Sequence, residues 1–412
     1  MFTSRLMSNI LSLCRTIEQN LNAITKTPKI HRSELIRFVH RPELTKVIYL
    51  STQVGALRSP PLLSSLEKIH SKLDIMQDPY VTGLIESVKS GDTHAPRRLH
   101  KVLVDQDTYC RKQLKVLITR TKDIHDELGA FAADWYLRQC IMKYTTMLQQ
   151  SGQQFNQWVG AEKKYLREIL QNVLLDDAAT PLPLLTEHIS PKLQSLIDAL
   201  ITQSCPGFTG LIFVEQRAAV AALAQLLAIH PRTQPLFNVG TFVGTSTSSK
   251  RKGNIADLAE PRNQQQTLDD FRQGKKNLIV ATSVLEEGID VSSCHIVICF
   301  EPPKNLKSFI QRRGRARKEE SKYIILVPDC GSALASPDRW HDLEEEMKEA
   351  YLNDLREIKS AEERELAEEN EDLLFRIEST GYVLISLIAY SEITVFCLIR
   401  TISGPIEWSR TA

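Results

Sequence analysis

Leu278-Ile279-Val280-Ala281-Thr282-Ser283-Val284-Leu285-Glu286-Glu287-Gly288-Ile289-Asp290-Val291 opens on four apolar residues and turns polar within the next few. A short apolar run bounded by turn signals suits a strand covered on both faces. The same texture recurs on either side, at Gly210–Val214, Phe237–Val243, His295–Phe300 and Tyr323–Val327, with amphipathic helical patterns between the runs. Strands that alternate with helices predict a parallel sheet, so residues 190–332 read as a compact α/β domain. Ligands of an open parallel sheet gather at the carboxyl ends of its strands, which makes the polar residues after each run the candidates for chemistry.

Thr282 stands at such an end, where its hydroxyl and nearby N–H groups suit a phosphate. Gly288 permits close approach of the backbone, and Asp290 suits ribose hydroxyls. The plainer reading of the segment is a strand, a glycine turn and a helix. A second stretch is harder to read plainly. In Gln311-Arg312-Arg313-Gly314-Arg315-Ala316-Arg317-Lys318, five cations fall within seven residues. A helix start has no stability reason to concentrate like charges. Guanidinium forks match phosphate oxygens, and an arginine can stabilise charge on a transferring phosphoryl group. A third stretch, Gly210-Leu211-Ile212-Phe213-Val214-Glu215-Gln216-Arg217, is a buried strand that enters a polar turn and then a helix.

Outside this domain the chain changes character. Residues 1 to about 48 read as one or two helices followed by a basic turn from His31 to Pro42. From Pro60 to Leu175 the pattern is almost wholly helical, and Ile124, Leu128, Phe131 and Trp135 read as one helix face, with Tyr136, Cys140 and Tyr144 beside it. The simplest reading of that face is a core stripe. Pro181, Pro183 and Pro191 mark a linker, and Ser190-Pro191 is a helix start with a cap and a proline at the first helical position. From Ser336 to about Ser379 the chain is a charged helical arm with a narrow apolar stripe. Val383 to Ile399 is strongly apolar. A membrane span is one reading of it, but Glu392 interrupts the run; a buried element or a tail foreign to the fold is the better one.

Bulk properties narrow the class further. The chain has 412 residues, enough for two or three domains, with 42% hydrophobic and 25% charged residues, as in soluble globular proteins. Net charge is +1, so no global field advertises a nucleic-acid partner and any surface for one is local. Eight scattered cysteines form no C-x-x-C pair, which argues against zinc and suits a reducing, intracellular setting, cytoplasm or nucleus. No secretory signal is expected, since Cys14, Arg15 and Glu18 break the first apolar patch too early.

Thr282 to Val291 and Gln311 to Arg317 resemble motifs V and VI of superfamily 2 helicases. The Glu286-Glu287-Gly288-Ile289-Asp290 form resembles the branch that contains Dicer and the innate-immune RNA sensor helicases. Gly210 to Arg217 resembles motif IV, and Gln264 to Gly274 the helix that precedes motif V. Ile17 to Leu21, His31-Arg32-Ser33-Glu34-Leu35 and Arg41-Pro42-Glu43-Leu44 resemble the stretch after motif III in fungal Dicer-like proteins. The resemblance implies an α/β RecA-like lobe with a parallel sheet, preceded by an all-α helical insertion and followed by a helical pincer arm. It divides the chain into a first-lobe remnant (1–50), the insertion (51–180), the lobe (190–332), the pincer (336–380) and an atypical tail (381–412).

By the same resemblance Gln311, Arg315 and Arg317 face ATP phosphates, with Arg315 or Arg317 as the arginine finger. Gly288 and Asp290 would meet the nucleotide, and Thr282, Arg217, Gly244 and Thr245 the RNA. The implied partners are double-stranded RNA and a first RecA lobe, with no membrane. The sequence contains no G-x-x-x-x-G-K-[ST] loop, and Asp126-Glu127-Leu128-Gly129 lies in a helical pattern rather than after a strand. Hydrolysis of ATP, and the Mg²⁺ that goes with it, therefore need the first lobe. No acidic cluster has the look of a ribonuclease III signature. Two readings stay open. The chain is a piece of a Dicer-like enzyme of RNA silencing, which its start near motif III and its tail favour, or it is a non-catalytic binder of double-stranded RNA or a protein. An RNA sensor helicase is the variant of the first.

Overall fold

The computed structural model describes residues 24–26, 42–51, 59–154, 160–175, 180–244, 254–259, 264–286, 291, 293–329, 383–390 and 393–399. In chain order the elements are β1 (Ile24–Lys26), β2 (Glu43–Tyr49), α1 (Pro61–Lys72), α2 (Pro79–Lys89), α3 (Ala95–Asp105), α4 (Tyr109–Leu128), α5 (Ala130–Gln154), α6 (Ala161–Leu175) and α7 (Pro191–Thr202). Then follow β3 (Gly210–Phe213), α8 (Arg217–Ile229), β4 (Val239–Phe242), α9 (Gln264–Arg272), β5 (Leu278–Ala281), β6 (Ile296–Cys299), α10 (Leu306–Arg313), β7 (Lys322–Pro328), β8 (Val383–Tyr390) and β9 (Ile393–Ile399). The chain forms two compact units, one of residues 47–285 with 326–330, the other of 1–46, 286–325 and 331–412.

In the larger unit the helices begin where local chemistry allows. Proline occupies the first turn of α1, α2, α3 and α7, where its missing N–H costs nothing. Asp78 caps α2 by accepting from the Tyr80 N–H at 3.0 Å, and Ser190 caps α7 by accepting from Leu193 at 3.1 Å. The expected start at Ser190-Pro191 is therefore where α7 begins. Strands β3 and β4 both pair with β5 in parallel, Gly210 and Val239 each opposite Leu278. Every residue of β3 and β5 is buried, as continuous apolar runs require. Helix α8, Arg-Ala-Ala-Val-Ala-Ala-Leu-Ala-Gln-Leu-Leu-Ala-Ile, is apolar almost all round because it is covered on two sides. It packs against β4 and β5 and also against α4 and α5. The helical region and these strands thus share a core.

Residues 255–257 reinforce that union. Tyr136 donates to the Ala256 carbonyl at 2.5 Å, Gln113 accepts from the Ile255 N–H at 2.9 Å, and Arg120 pairs with Asp257 at 2.5 Å. Tyr136 is fully buried, and burial pushes its phenol well above the ordinary range, so it stays a donor.

The face of Ile124, Leu128, Phe131 and Trp135 does not lie on one helix. Gly129, at φ 102°, separates α4 from α5. Ile124 and Leu128 are buried, while Phe131 and Trp135 are half-buried. Tyr136, Cys140 and Tyr144 form the buried stripe of α5. The break is where residues 188–190 dock: Ser190 donates from its N–H to Leu128 O at 3.1 Å and from its hydroxyl to Glu127 O at 2.7 Å. A Cβ on Gly129 would lie 2.5 Å from His188 O and 2.7 Å from Ser190 N. Lys192, only 4% exposed, pairs with Glu127, and its Nζ lies 5.6 Å from the Tyr49 ring centroid.

In the smaller unit β6 pairs in parallel with the first part of β7, Ile296 opposite Lys322 and Cys299 opposite Ile325. One expectation is corrected here. Residues 43–49, within the stretch read as helix and basic turn, are strand: Glu43 N–H donates to Ser321 O at 2.8 Å. Thr45, Val47 and Ile48 suit an extended half-buried edge, and the partner is remote in sequence. The apolar tail is a hairpin, β8 antiparallel to β9, with β1 on the far side of β9. Among the described residues no helix is long and apolar enough to cross a membrane. The expected arm of 336–380 lies outside the described residues.

Candidate functional site

Three of the residues expected to meet RNA lie at the carboxyl ends of adjacent parallel strands in the larger unit. Arg217 begins α8 just after β3, Gly244 follows β4, and Thr282 follows β5. The strand ends are laced together, Val214 N–H to Ala281 O at 2.8 Å and Thr282 N–H to Phe242 O at 3.1 Å. Arg217 and Gly244 are half-buried, whereas Thr282 is 8% exposed and offers solvent only a small face. A Cβ on Gly244 would meet Val284 at 3.5 Å, an ordinary contact, so packing against the described residues does not demand glycine there. Gly240 differs, since its Cβ would come within 2.7 Å of Thr267. Thr245 lies outside the described residues.

The cationic stretch belongs to the smaller unit, where it is the last turn of α10 and the loop after it. It is a helix end and not a helix start. Positive charge is favoured there because it faces the carbonyl end of the helix dipole. The five cations do not share one role. Arg312 is 3% exposed; its Nε donates to Glu286 Oε1 at 2.7 Å, and Nη1 reaches Glu301 O at 3.5 Å and Cys299 Sγ at 3.8 Å. This arginine is a buried structural ion and not a free phosphate contact. Arg315 donates from Nη2 to the Glu286 carbonyl at 2.9 Å, and Arg317, which is exposed, donates from Nε to Gly314 O at 2.8 Å. Gln311 is half-buried one residue before Arg312. Gly288 and Asp290 lie outside the described residues.

The loop is tied down from behind. Cys294 donates its N–H to Arg315 O and accepts from Lys318 N–H, both at 3.3 Å. Gly314 N–H closes α10 onto Ile310 O at 2.8 Å. Cys294 is fully buried, and burial pushes its thiol up to about 12. Cys299, also fully buried, is shifted upward by burial and lies 3.1 Å from the Tyr323 hydroxyl. Both are therefore neutral thiols, and Glu286 supplies the counter-charge for Arg312. The role of Glu286 had a sequence signal that motif reading passed over: a carboxylate at the end of the short turn that follows a buried strand, with an arginine cluster further along the chain.

Parallel strands flanked by helices, with polar residues at the strand ends and arginines on the last helix turn, define a RecA-like helicase C-terminal fold. Residues 191–319 match the family model described as helicase conserved C-terminal domain, and the chain carries that domain. Along nearly its whole length the chain is homologous to fungal Dicer-like protein 2. It is 49% identical over 388 residues to Dicer-like protein 2 of Phaeosphaeria nodorum and 40% identical over 386 residues to that of Neosartorya fischeri. Each alignment covers 93% of this chain and 27% of the relative, so the chain spans about a quarter of the length of these relatives. Among solved structures, the helicase domain of Pyrococcus furiosus Hef is similar at 19% identity and a TM-score of 0.34, over 74% of this chain and 59% of that one.

Proposed function

We propose that this chain forms the C-terminal lobe, with its helical insertion, of the helicase motor of a Dicer-like endoribonuclease acting on double-stranded RNA in RNA silencing of the antiviral kind. In this reading Arg217, Thr282, Gly244 and Thr245 meet the RNA backbone. Gln311, Arg315 and Arg317 face the phosphates of ATP, and Gly288 and Asp290 meet its nucleoside. Arg315 and Arg317 differ in what they offer. Arg315 is held against a carbonyl, while Arg317 is exposed with a local bond, and a guanidinium has donors enough to keep such a bond and still meet a phosphoryl oxygen. Turnover needs the phosphate-loop lysine and Mg²⁺ of a first lobe, which this sequence does not contain. The protein works inside the cell, in cytoplasm or nucleus.

The observation that carries the RNA assignment is the placement of Arg217, Gly244 and Thr282 at three neighbouring strand ends, where a parallel sheet gathers ligands. Among the described residues a Cβ on Gly244 would meet only Val284 at ordinary contact distance, which fits a glycine kept for close approach of a backbone. The test is fluorescence anisotropy of the 412-residue chain with blunt double-stranded RNA across a salt series. Affinity is expected to fall linearly in a log–log plot, and Arg217→Ala to lower the slope by about one. An unchanged slope in the variant, or no binding at low salt, overturns the assignment.

A further inference from the structure

Glu286 makes three contacts, each to a different residue of α10 or the turn that follows. Oε1 accepts from Arg312 Nε at 2.7 Å, Oε2 accepts from the Ser308 hydroxyl at 3.1 Å, and the backbone carbonyl accepts from Arg315 Nη2 at 2.9 Å. Ser308 and Arg312 are four residues apart, so they stand on one face of α10, in its first and last turns. One carboxylate therefore grips the helix at both ends. Side-chain exposure of the pair is 3% for Arg312 and 9% for Glu286. Asn305 caps the same helix by accepting from Ser308 N–H at 2.9 Å, which fixes the serine. Behind Arg312, Cys299 and Tyr323 are in contact, and the Tyr323 ring meets Phe309 edge-on at 5.3 Å.

A buried ion pair is a poor device for stability alone, since apolar residues of the same volume often do as well. What it provides is a fixed orientation. Phosphate recognition needs guanidinium atoms placed to within a fraction of an ångström, and that placement has to come from residues packed behind the contact. Glu286 satisfies this requirement twice, holding the last turn of α10 through Arg312 and the Arg315 guanidinium through its own carbonyl.

We propose that Glu286 is a positioning residue for Arg315, acting through Arg312 and its own backbone to set the guanidinium that meets the nucleotide phosphates. The proposal rests on the reading of Arg315 as a phosphate contact. It is tested on the whole chain with the fluorescent nucleotide mant-ATP and Mg²⁺, alongside the double-stranded RNA assay. Arg315→Ala and Glu286→Gln are each expected to weaken nucleotide binding about tenfold, and the double variant no more than either, because the two act as one unit. RNA affinity should stay within about twofold of the parent, since the Glu286 carboxylate is committed to Ser308 and Arg312. If Glu286→Gln leaves the arginine uncompensated and the protein does not fold, Glu286→Asp carries the test. Its shortened carboxylate should lose nucleotide affinity, again not additively with Arg315→Ala, with RNA binding intact.

A residue with only a structural role would lower both affinities together and add to Arg315→Ala. Additive losses of about a hundredfold in the double variant, or parent-like nucleotide binding in both Glu286 variants, overturn the proposal while the phosphate reading stands. If Arg315→Ala itself binds nucleotide like the parent, the phosphate reading fails, and the positioning role falls with it.

Discussion

Gly129→Ala tests how the helical region is joined to the α/β strands. The residue sits at φ 102° and ψ 177°, a backbone region that only glycine enters easily, and strain there costs an alanine about 1–3 kcal/mol. The new Cβ would stand 2.5 Å from His188 O, 2.7 Å from Ser190 N and 2.9 Å from Ile189 Cα. All three are backbone atoms, so no side chain can rotate away. Relief requires residues 188–190 to withdraw, and that stretches the Ser190 bonds to Leu128 O and Glu127 O, each contributing about 1 kcal/mol. The total is about 3–5 kcal/mol, at the upper end of single-substitution effects. Thermal unfolding followed by circular dichroism should show a loss of at least about 6 °C, at roughly 2–4 °C per kcal/mol for a body of this size. Gly83→Ala is the matched control. Gly83 lies inside α2 with nothing within 4 Å of its Cβ position, so alanine should stabilise by about 0.5–1 kcal/mol. If Gly129→Ala melts within about 2 °C of the parent, the docking argument is wrong.

Other outcomes follow from burial. Lys192 and Glu127 should respond unequally, because their side chains are 5% and 36% exposed. Glu127→Ala strands a buried cation and should cost about 3–5 kcal/mol, whereas Lys192→Met releases a carboxylate that water can reach and should cost clearly less; equal losses in urea denaturation would count against the account. Iodoacetamide at pH 8 should label Cys205, which is exposed, well before Cys110, Cys140, Cys294 or Cys299, which are buried; mass spectrometry showing early labelling of any of these four would refute the burial assignment. Stability should also decline in alkali. Burial raises the thiols of Cys140 and Cys294 from 9.0 to about 12, so below pH 9 they are protonated whether folded or unfolded. Above 9 only the unfolded thiols ionise, and each withdraws about 1.4 kcal/mol per pH unit until the folded value is reached. Cys140→Ala with Cys294→Ala should flatten the decline between pH 9 and about 11, and an unchanged slope would reject the assignment.

The α/β part was legible because its signals are local. The runs at 210–214, 278–281 and 295–300 are too short and too apolar to be surface helices, and each contains a strand of the fold. Ser190-Pro191 carried its own cap chemistry. Strand β2 was not legible, because nothing near Glu43–Tyr49 announces a partner. Its anchors are remote: Ser51 hydrogen-bonds to Asp329 at 2.6 Å across 278 positions. The break at Gly129 was hidden for a different reason. Apolar spacing continues across it, so the periodic signal hides a turn whose only mark is the glycine itself. The reason for that glycine is the chain at 188–190, which the sequence places some sixty positions away.

The cationic cluster shows where charge counting stops being informative. Five cations within seven residues look alike in sequence, and phosphate binding is the obvious use for all of them. Burial separates them, since Arg312 at 3% exposure has no route to a ligand and Arg317 is open to solvent. An arginine enters a core only with a carboxylate to meet it, because an unpaired buried charge costs several kcal/mol. The search for ligand arginines should therefore start from the carboxylates and ask which cation each one takes. Here Glu286 follows the β5 turn in a segment whose apolar runs lead inward, and it takes Arg312. What remains for a ligand is Arg315, which bonds a carbonyl where Arg312 bonds a carboxylate, and Arg317, which is exposed and bonded within its own turn. A guanidinium has five N–H donors and a carbonyl carries no net charge, so Arg315 can keep its bond to the Glu286 carbonyl and still bring an uncompensated positive charge to a phosphate, whereas the charge of Arg312 is already met by the Glu286 carboxylate.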